Sequence, residues 1–588
     1  MAQGREFPII GSYDKQRFPQ LQGEDCANWY IVPNEKAKKK AGMYPAMGRR
    51  HVNYLGQNRL IFDTTPRASF RSRNFAYFVV GDNVIRVDSN YNQLNISNTD
   101  FATLTGNVWF AVLYTPSVTY VGFTDGIHLY IYTEETGSFV TITDPKLYGS
   151  VPNPTYLAVI GNRFVVSSSN SSQYSLSAIN LGAMPLNPGT CFTVAGNAIF
   201  AQEDGIIRQM AVNQNILYIW TDFTCGIWSN IQSTIQEPVS GQATTFPLKK
   251  NTSYQFQWGM GDPLSLSVDF GIMVWEGQNQ SGLIQVVASS GEAPKPIATK
   301  AIDVLFQASA DGTMLSPFVE FDANGFLYQY ENSVFYRLSA GQYVNNQILD
   351  VQTNANAIEY SFDTQTWQRV IELNGERNRI ERHIYYNNKH LVTVQGDNTV
   401  YEMAGSIYSN ERTNPAQTDP QALDAYLIDP MRYIKTSMII AEPDYGEFET
   451  EWLQIDFSWG DQTFIYANIG YDNAVYIVEE DNQTFITKED GQTFLVTETS
   501  NFPQQGESHY FEYFKPHIEL FFSDDGGTTY ESADDLHFSD LGVYSWRMRW
   551  YQLGCSRNRV YKLVCVSPAP IVVLGGWMLT RRVSGGAS

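Results

Sequence analysis

The chain has 588 residues, of which 43% are hydrophobic and 14% aromatic, so it can bury a large core and is not intrinsically disordered. Its 39 Lys and Arg residues against 61 Asp and Glu residues leave a net charge of −22, which excludes a uniformly basic nucleic-acid-binding protein. Five scattered cysteines without a CxxC pair exclude a disulfide scaffold and a zinc module, and we expect small core thiols of a protein made in a reducing compartment.

Residues 1–60 are predicted to form a basic N-terminal docking arm. Residues 1–75 hold 13 Lys and Arg residues against 6 Asp and Glu residues, whereas the other 513 residues hold 26 against 55. A basic arm on an acidic body is suited to docking on a second acidic protein, although a solvated loop has the same composition. The candidate docking residues are Lys36, Lys38, Lys39, Lys40, Arg49 and Arg50. The N-terminus also lacks the apolar run of a secretory signal, and we expect no membrane insertion.

Residues 61–429 are predicted to form an irregular β-propeller. Short apolar runs with a period of two alternate with Gly, Asn and Asp turns, as in residues 75–87, and no amphipathic helix of three turns is found. A turn followed by an apolar strand recurs at intervals of 44, 36 and 52 residues, near the length of a four-stranded blade. Residues 230–300 fit this repeat badly and are predicted to be a long inserted loop. A series of β-sandwich domains remains the alternative.

Residues 430–588 are predicted to form a second, sandwich-like β domain. Residues 449–459 read ETEWLQIDFSW, an alternation typical of a longer half-buried strand. Residues 480–497 contain two consecutive nine-residue units that share the residues Gln-Thr-Phe, and a further copy begins at Asp461. Each unit holds one turn and one short strand, so we predict a β-hairpin insertion at about 460–500. The whole chain is therefore predicted to be all-β.

No pattern for enzymatic chemistry is found in the sequence. The metalloprotease, nucleophile-elbow, phosphate-loop and cysteine or histidine ligand patterns are absent, and we predict no catalytic residue, metal site or cofactor. One Asp-box pattern, Ser-x-Asp-x-Gly-x-Thr, is matched by Ser523, Asp525 and Gly527. Such residues shape a hairpin turn, because the Asp side chain accepts backbone N–H groups and Gly permits positive φ. The match resembles sialidase-type propellers, but as a single copy it does not predict glycosidase activity.

Two stretches resemble the packaged-DNA-stabilisation proteins of short-tailed bacteriophages. The first, within residues 25–50, contains Asn28, Trp29, Tyr30 and Pro33 and ends in a Pro-x-x-Gly turn. The second, within residues 430–575, joins the Ser-Asp-Asp-Gly-Gly hairpin to Arg-x-x-Trp-x-x-Leu-Gly and Arg-x-Arg-Val. These patterns are matched by Arg547, Trp550, Gly554, Arg557 and Arg559. The residues between the two stretches agree with the family only as a propeller-like β region.

The resemblance implies a structural virion protein, the tail hub or nozzle, and not an enzyme. It further implies a homohexameric ring that extends the DNA channel below the portal and its adaptor ring and helps to retain the packaged genome. Its implied partners are the head–tail adaptor ring, a tail fibre, spike or needle protein, and double-stranded DNA that passes without sequence-specific binding. The protein would be made in the bacterial cytoplasm and reside in the virion tail. The alternative is a carbohydrate-binding or glycan-degrading β-propeller tail protein.

The arginines of the second stretch have a structural interpretation. Arg547, Arg549, Arg557 and Arg559 alternate along predicted strands and can pair with Asp524, Asp525 and other carboxylates of the same domain. We expect this structural role for them, and we expect the docking contacts at residues 36–50.

Overall fold

The computed structural model describes residues 4–15, 23–33, 41–52, 59–97, 101–177, 189–192, 200–236, 243–307, 321–344, 347–348, 356–413, 426–442, 446–459, 517–537, 546–567 and 569–583. Almost all of the regular structure is β, so the predicted fold class is confirmed. Two short α-helices, α1 (Pro145–Ser150) and α2 (Lys300–Gln307), and a 3₁₀ helix at Pro263–Ser265 are the described helices. None of them is long and apolar enough to cross a membrane.

Seven short strands precede the first blade of the propeller. They are β1 (Arg5–Phe7), β2 (Asp14–Lys15), β3 (Gly23–Glu24), β4 (Cys26–Ala27), β5 (Trp29–Pro33), β6 (Ala41–Pro45) and β7 (Gly48–His51). Their register shows that β2 pairs with β3 and β5 with β6, while β1, β4, β6 and β7 each pair with strands from later in the chain. Backbone hydrogen bonds therefore join the described strands of residues 1–60 to the rest of the molecule.

Seven successive groups of antiparallel strands follow among the described residues, each with the strand content of a propeller blade. Blades 1 to 5 are separate sheets, whereas blades 6 and 7 are parts of one larger sheet that also includes strands of the C-terminal domain. Blade 1 contains β8 (Ala68–Arg71), β9 (Ala76–Val80), β10 (Asn83–Val87) and β11 (Gln93–Asn95). Blade 2 contains β12 (Trp109–Tyr114), β13 (Thr119–Thr124), β14 (Leu129–Thr133) and β15 (Ser138–Thr141). Blade 3 contains β16 (Pro154–Ile160), β17 (Arg163–Ser168), β18 (Gln173–Leu176) and β19 (Phe200–Gln202). Blade 4 contains β20 (Ile207–Asn213), β21 (Ile216–Thr221), β22 (Cys225–Ser229) and β25 (Lys249–Lys250), with a separate hairpin of β23 (Ser233–Gln236) and β24 (Ala243–Phe246).

Blades 5 to 7 complete the series. Blade 5 contains β26 (Gly259–Met260), β27 (Ser267–Asp269), β28 (Ile272–Gln278), β29 (Ile284–Ser289) and β30 (Lys295–Pro296). Blade 6 contains β31 (Phe321–Tyr330), β32 (Ser333–Val344), β33 (Gln347–Ile348), β34 (Asn356–Ser361) and β35 (Thr366–Arg369). Blade 7 contains β36 (Ile380–Tyr386), β37 (Lys389–Val394) and β38 (Val400–Ala404), and β7 from the N-terminal segment is its fourth strand.

Shared hydrophobic clusters show that the blades form a closed ring. Each pair of consecutive blades buries side chains of both members in one cluster. The ring closes where Phe78 and Val80 of blade 1 pack in one cluster with Ile384 and Leu391 of blade 7. The central strands are buried on both faces, as in β9, where all five residues are buried. This continuous burial between neighbouring sheets is the physical reason for an almost entirely apolar strand sequence.

A β-sandwich follows the propeller. Its strands are β39 (Ser409–Thr413), β40 (Tyr426–Thr436), β41 (Ile440–Ala441), β42 (Phe448–Trp459), β43 (His517–Ser523), β44 (Glu531–His537), β45 (Trp546–Tyr551), β46 (Cys555–Ser556), β47 (Asn558–Ser567) and β48 (Ile571–Arg582). One layer has the order β45-β42-β48-β6-β5, and the other contains β4, β40, β47, β43 and β44. Their inward side chains share one core, which includes Trp29, Leu453, Trp550, Leu563 and Val573.

The sandwich is joined to the propeller through β4, β7 and β40. Strand β4 pairs in parallel with β35 of blade 6 and antiparallel with β40. Strand β7 pairs with β38 of blade 7 and with β39, which in turn pairs with β40. The N-terminal strands thus connect the outer edges of blades 6 and 7 to the sandwich.

Two sequence predictions are wrong. Residues 230–300 are not a long inserted loop, because they contain the β23–β24 hairpin and all of blade 5. Blade 5 escaped detection because β26 and β30 have only two residues each and β27 only three. The predicted separate arm at residues 1–60 is also wrong for the described strands, since backbone pairing joins them to blades 6 and 7 and to the sandwich. The predicted hairpin insertion at 460–500 lies outside the described residues.

Candidate functional site

The first family-like stretch lies at the junction of propeller and sandwich. Asn28 is fully buried and has a φ of 59°, in a left-handed region that Asn tolerates better than most residues. Its side-chain amide donates to the carbonyl oxygens of Ile371 at 2.8 Å and Arg432 at 2.7 Å, and its Oδ1 accepts from the N–H of Ile371 at 3.1 Å. One side chain therefore joins the N-terminal segment to blade 6 and to β40.

The aromatic residues after Asn28 extend this junction. Trp29 is fully buried, stacks on Tyr433 with a ring-centroid distance of 5.1 Å, and donates from Nε1 to the carbonyl oxygen of Ile571 at 2.8 Å. Tyr30 packs edge-on against Phe335 of blade 6 at 5.3 Å. Pro33 lies exposed at the end of β5. The motif therefore has a structural role, since it holds the N-terminal segment to the propeller and the sandwich. In the sequence it is recognisable as two adjacent aromatic residues that follow an Asn.

Charged residues just before Asn28 reinforce the junction. Glu24 accepts from Nζ of Lys435 at 3.1 Å, and the Lys435 side chain is completely buried. Asp25 binds Arg369 of blade 6 through two contacts of 2.8 and 2.5 Å. Burial opposes ionisation of Asp25, but the guanidinium of Arg369 outweighs it and lowers the pKa of the carboxyl group. Sequence analysis missed these pairs because their partners are more than 340 residues apart.

The candidate docking residues have different environments. Lys36, Lys38, Lys39 and Lys40 lie outside the described residues, between β5 and β6. Arg50 is partly exposed, with Nε 3.8 Å from a carboxylate oxygen of Glu402. The assignment of Arg49 to a docking surface is wrong, because the residue is only 2% exposed. Its guanidinium binds the Glu372 carboxylate at 2.7 and 3.3 Å and the Glu411 carbonyl oxygen at 3.0 Å, so its charge is neutralised inside the chain.

The Asp-box residues form the turn between β43 and β44. Asp525 accepts from the Ser523 hydroxyl at 2.6 Å and from the backbone N–H groups of Thr528 and Thr529 at 2.9 Å. These hydrogen bonds, led by that from Ser523, lower the pKa of the Asp525 carboxyl group. Gly527 has a φ of 95°, and its N–H donates to Ser523 Oγ at 2.8 Å. The predicted local role of this motif is confirmed.

The second family-like stretch is mainly part of the sandwich core. Trp550 is 2% exposed, and Gly554 has a φ of 79° in the turn after β45. Arg559 is buried and binds Asp524 through contacts of 2.6 and 2.7 Å, as expected for a structural arginine. Arg547 and Arg557 are exposed, so they do not share that burial. The predicted pairing inside the domain is therefore confirmed for Arg559 and, at 3.9 Å from Asp456, holds only loosely for Arg547.

The outer face of the sandwich layer β45-β42-β48 carries two exposed aromatic residues that sequence analysis did not select. Tyr551 is 61% exposed and Trp577 is 42% exposed, although most described tryptophans are buried. Arg549 lies with its guanidinium carbon 4.7 Å from the centroid of the Trp452 ring. The alternation of residues in β45 could have predicted this exposure. Arg547, Arg549 and Tyr551 point to the side of the strand opposite to the buried side chains of Met548 and Trp550.

His383 and His390 form a partly buried pair in the blade 7 hairpin. His383 Nε2 lies 2.9 Å from His390 Nδ1, and the ring of His383 stacks on Phe326 of blade 6. Burial lowers the pKa of His383 well below its usual range, and burial also lowers the pKa of His390. Both rings are therefore neutral at pH 7. Within the described ranges, no three His, Cys, Asp or Glu side chains are grouped as a metal site requires.

The histidine pair predicts a loss of stability in mild acid. Unfolded histidines bind protons near pH 6.5, whereas the folded pair resists protonation, so its stabilising contribution is present above about pH 6.5 and declines as the pH falls. The His383→Phe variant keeps a ring on Phe326 but removes one titrating group. We expect its free energy of unfolding to fall less than that of the wild type between about pH 7.5 and 5.5, by up to ~1.4 kcal/mol per pH unit. Urea unfolding measures this, and equal pH dependence would contradict it.

The cysteines largely follow the sequence prediction. All five are free, and Cys26, Cys191, Cys225 and Cys565 are buried. Burial raises the pKa of the Cys26 thiol to about 12, so it is protonated at neutral pH. Cys555 is exposed and does not fit the prediction of core thiols.

Comparison with known proteins gives similarity at a low level only. No protein-family model matches the chain, and no curated protein matches it. Among solved structures, the WD40 domain of Neurospora crassa Pan2 has a TM-score of 0.33 and 7% identity, over 61% of this chain and 94% of that chain. The β-propeller domain of Myceliophthora thermophila Cps50 (Swd1) has a TM-score of 0.34 and 7% identity, over 59% and 98% of the two chains. Kluyveromyces lactis Hsv2 has a TM-score of 0.26 and 9% identity, over 59% and 97%.

Proposed function

We propose that this chain is a structural, non-enzymatic tail protein of a short-tailed bacteriophage, the hub or nozzle ring below the portal and adaptor. One observation carries the proposal. The two stretches that resemble the packaged-DNA-stabilisation family are about 400 residues apart in sequence, yet they form one unit of structure. Trp29 of the first stretch and Trp550 of the second lie in the same hydrophobic core. The shared motif residues thus support a common architecture.

The physical properties of the chain are compatible with such a ring. A closed propeller fused to a sandwich through backbone pairing is a rigid building block, since the junction is held by ladder hydrogen bonds and not by a flexible linker. Rings of identical subunits form from head-to-tail interfaces related by rotation. The acidic charge of residues 76–588 would keep DNA phosphates from adhering to the channel wall.

The number of copies in purified particles tests the proposal. Quantitative mass spectrometry against the portal protein should give about six copies for every twelve portal chains, as a hexameric ring below a dodecameric portal requires. Absence of the chain from particles would overturn the proposal. A count of about eighteen would indicate trimeric fibres instead.

An activity assay distinguishes the hub proposal from the alternative that the sequence left open, a carbohydrate-binding or glycan-degrading tail protein. The full chain is incubated with capsular polysaccharide, and released reducing ends are measured. We expect no turnover. Sustained release of reducing sugar, lost on denaturation, would mean that a hub role alone does not account for the protein.

Charge reversal tests the proposed docking of the lysine-rich segment on an acidic adaptor ring. The Lys38→Glu, Lys39→Glu, Lys40→Glu triple variant should reduce recovery of the adaptor ring in a pull-down by at least about tenfold at low salt. The control changes the net charge equally at exposed lysines of blades 4 and 5 and of α2, in a Lys249→Glu, Lys295→Glu, Lys300→Glu triple variant. Equal recovery with both variants would remove the docking assignment.

A further inference from the structure

The layer β45-β42-β48 presents one face to the core and the other outward. Backbone register places three rows of outward side chains across it. One row contains Arg547 and Asp456, the next contains Arg549, Gln454, Trp577 and, on β1, Glu6, and the last contains Tyr551, Trp452 and Leu579. Gln454 and Asp456, on the central strand, are only 7% and 6% exposed, so the open part of the face is formed by the flanking side chains. We call the set Trp452, Arg547, Arg549, Tyr551 and Trp577 the Arg–aromatic face.

Two aromatic rings of this face are exposed to solvent, and one of them, that of Tyr551, lies beside Arg549. Tyr551 is 61% exposed and Trp577 is 42% exposed, whereas Trp550 and Met578, their neighbours in sequence, are buried in the sandwich core. Isolated exposed apolar residues are ordinary, but Trp, Tyr and Arg grouped on one flat surface have the composition of the central part of protein interfaces. The grouping, not the individual exposure, is the informative feature.

The arginines of this face carry positive charge that the chain does not fully neutralise. The Arg547 side chain is 73% exposed, and its Nε lies 3.9 Å from the Asp456 carboxylate, beyond hydrogen-bond distance. Arg549 donates to the neutral amide oxygen of Gln454 and lies over the Trp452 ring at 4.7 Å. Among the described residues, no carboxylate forms an ion pair with Arg549.

The remaining hydrogen-bonding capacity indicates what this face can bind. Stacking and the contacts to Gln454 hold the Arg549 guanidinium in one orientation, so less side-chain entropy is lost when a partner binds. The outer edge of the Arg547 guanidinium faces solvent and can accept a carboxylate in two-point contact. A fitting surface therefore offers carboxylates beside apolar groups that cover Tyr551 and Trp577.

We propose that the Arg–aromatic face is a protein interface whose partner is a second copy of this chain. Charge complementarity argues for this partner, because residues 76–588 hold 26 Lys and Arg residues against 55 Asp and Glu residues. Arg547 and Arg549 share this face with Asp456 and, on β1, Glu6, but the open edges of their guanidinium groups favour contact with a different, acidic surface of the next copy. Such contact between unlike surfaces is the head-to-tail geometry that closes rings. This inference rests on the proposed ring function, and it adds the surface through which one subunit binds the next.

Site-specific crosslinking of the full chain tests this interface. Tyr551 is replaced by the photoreactive residue p-benzoylphenylalanine, which preserves an exposed aromatic ring, and the protein is irradiated at about 100 μM in about 50 mM and 500 mM salt. We expect a crosslinked dimer whose crosslinked peptide is acidic and comes from the second copy. Its yield should fall at least about threefold at the higher salt. Monomer alone in both conditions would overturn the inference.

Substitutions establish which side chains are responsible. Arg547→Glu and Trp577→Ala, each combined with the crosslinker, should reduce dimer yield by about tenfold. Arg557→Glu is the matched control, because Arg557 is also exposed and the charge change is identical, but it lies between β46 and β47 and is not part of the three rows of this face. Circular dichroism and unfolding curves verify that each variant is folded. Equal yields for Arg547→Glu and Arg557→Glu would also overturn the inference.

The same crosslinker in purified particles separates this inference from the proposed function. Crosslinks to a second copy in particles that hold about six copies support both. Crosslinks only to a different virion protein, at that copy number, leave the hub proposal intact and overturn the second-copy partner. A chain that dimerises through Tyr551 but is absent from particles overturns the hub proposal and leaves the interface standing.

Discussion

The Trp29→Ala variant is expected to lose about 3–5 kcal/mol of the free energy of unfolding. Trp29 is fully buried between the two layers of the sandwich, stacks on Tyr433 and donates to the Ile571 carbonyl oxygen. Alanine would leave a large cavity and an unpaired buried carbonyl group, and both effects destabilise the folded state. The loss should be visible as a lower midpoint in urea unfolding followed by tryptophan fluorescence and circular dichroism.

Trp577→Ala is the matched control for this prediction. It removes the same side chain from the same domain, but at a position that is 42% exposed on the outer face of β48. We expect a loss below about 1 kcal/mol, because most of the lost contact is with water. A similar loss for both variants would mean that Trp29 does not lock the N-terminal segment to the sandwich.

The second large effect is expected at Glu359, whose replacement by Gln should destabilise the protein by about 3–5 kcal/mol. Glu359 and Arg337 are each about 1% exposed, and the Arg337 Nε lies 2.7 Å from Glu359 Oε2. Tyr328 donates to the same oxygen at 2.5 Å, and Gln368 donates to Oε1 at 2.6 Å. Removing the carboxylate charge leaves the Arg337 guanidinium buried without a counter-ion, which is the costly step.

Two comparisons make this prediction specific. Glu376→Gln removes a carboxylate that pairs with Arg379 at 3.2 Å near the surface, where the side chains are 30% and 39% exposed, and should cost less than about 1 kcal/mol. The Arg337→Met, Glu359→Leu double variant should recover part of the loss, since no unpaired charge remains. Equal stability of Glu359→Gln and the wild type in urea unfolding would refute the assigned role of this pair.

The sequence was sufficient for features that depend on local residue patterns. The all-β character followed from apolar residues with a period of two, as in residues 75–87, which form β9 and β10. The long strand β42 coincides with the alternation in residues 449–459. The Asp-box turn was predictable because its hydrogen bonds join residues no more than four positions apart. Such features need no knowledge of distant parts of the chain.

Only the tertiary structure decided how the ends of the chain are used. The charge count suggested that Arg49 serves a detached arm, but β7 is the fourth strand of blade 7 and places Arg49 against Glu372, 323 residues away. Likewise, the repeat did not reveal blade 5, since two-residue edge strands have no measurable periodicity. Partners separated by hundreds of residues leave no local pattern, because only the closed ring brings them within hydrogen-bond distance. Composition and periodicity thus determined the fold class. Long-range strand pairing determined which residues are buried and join distant segments, and which residues remain exposed on the surface.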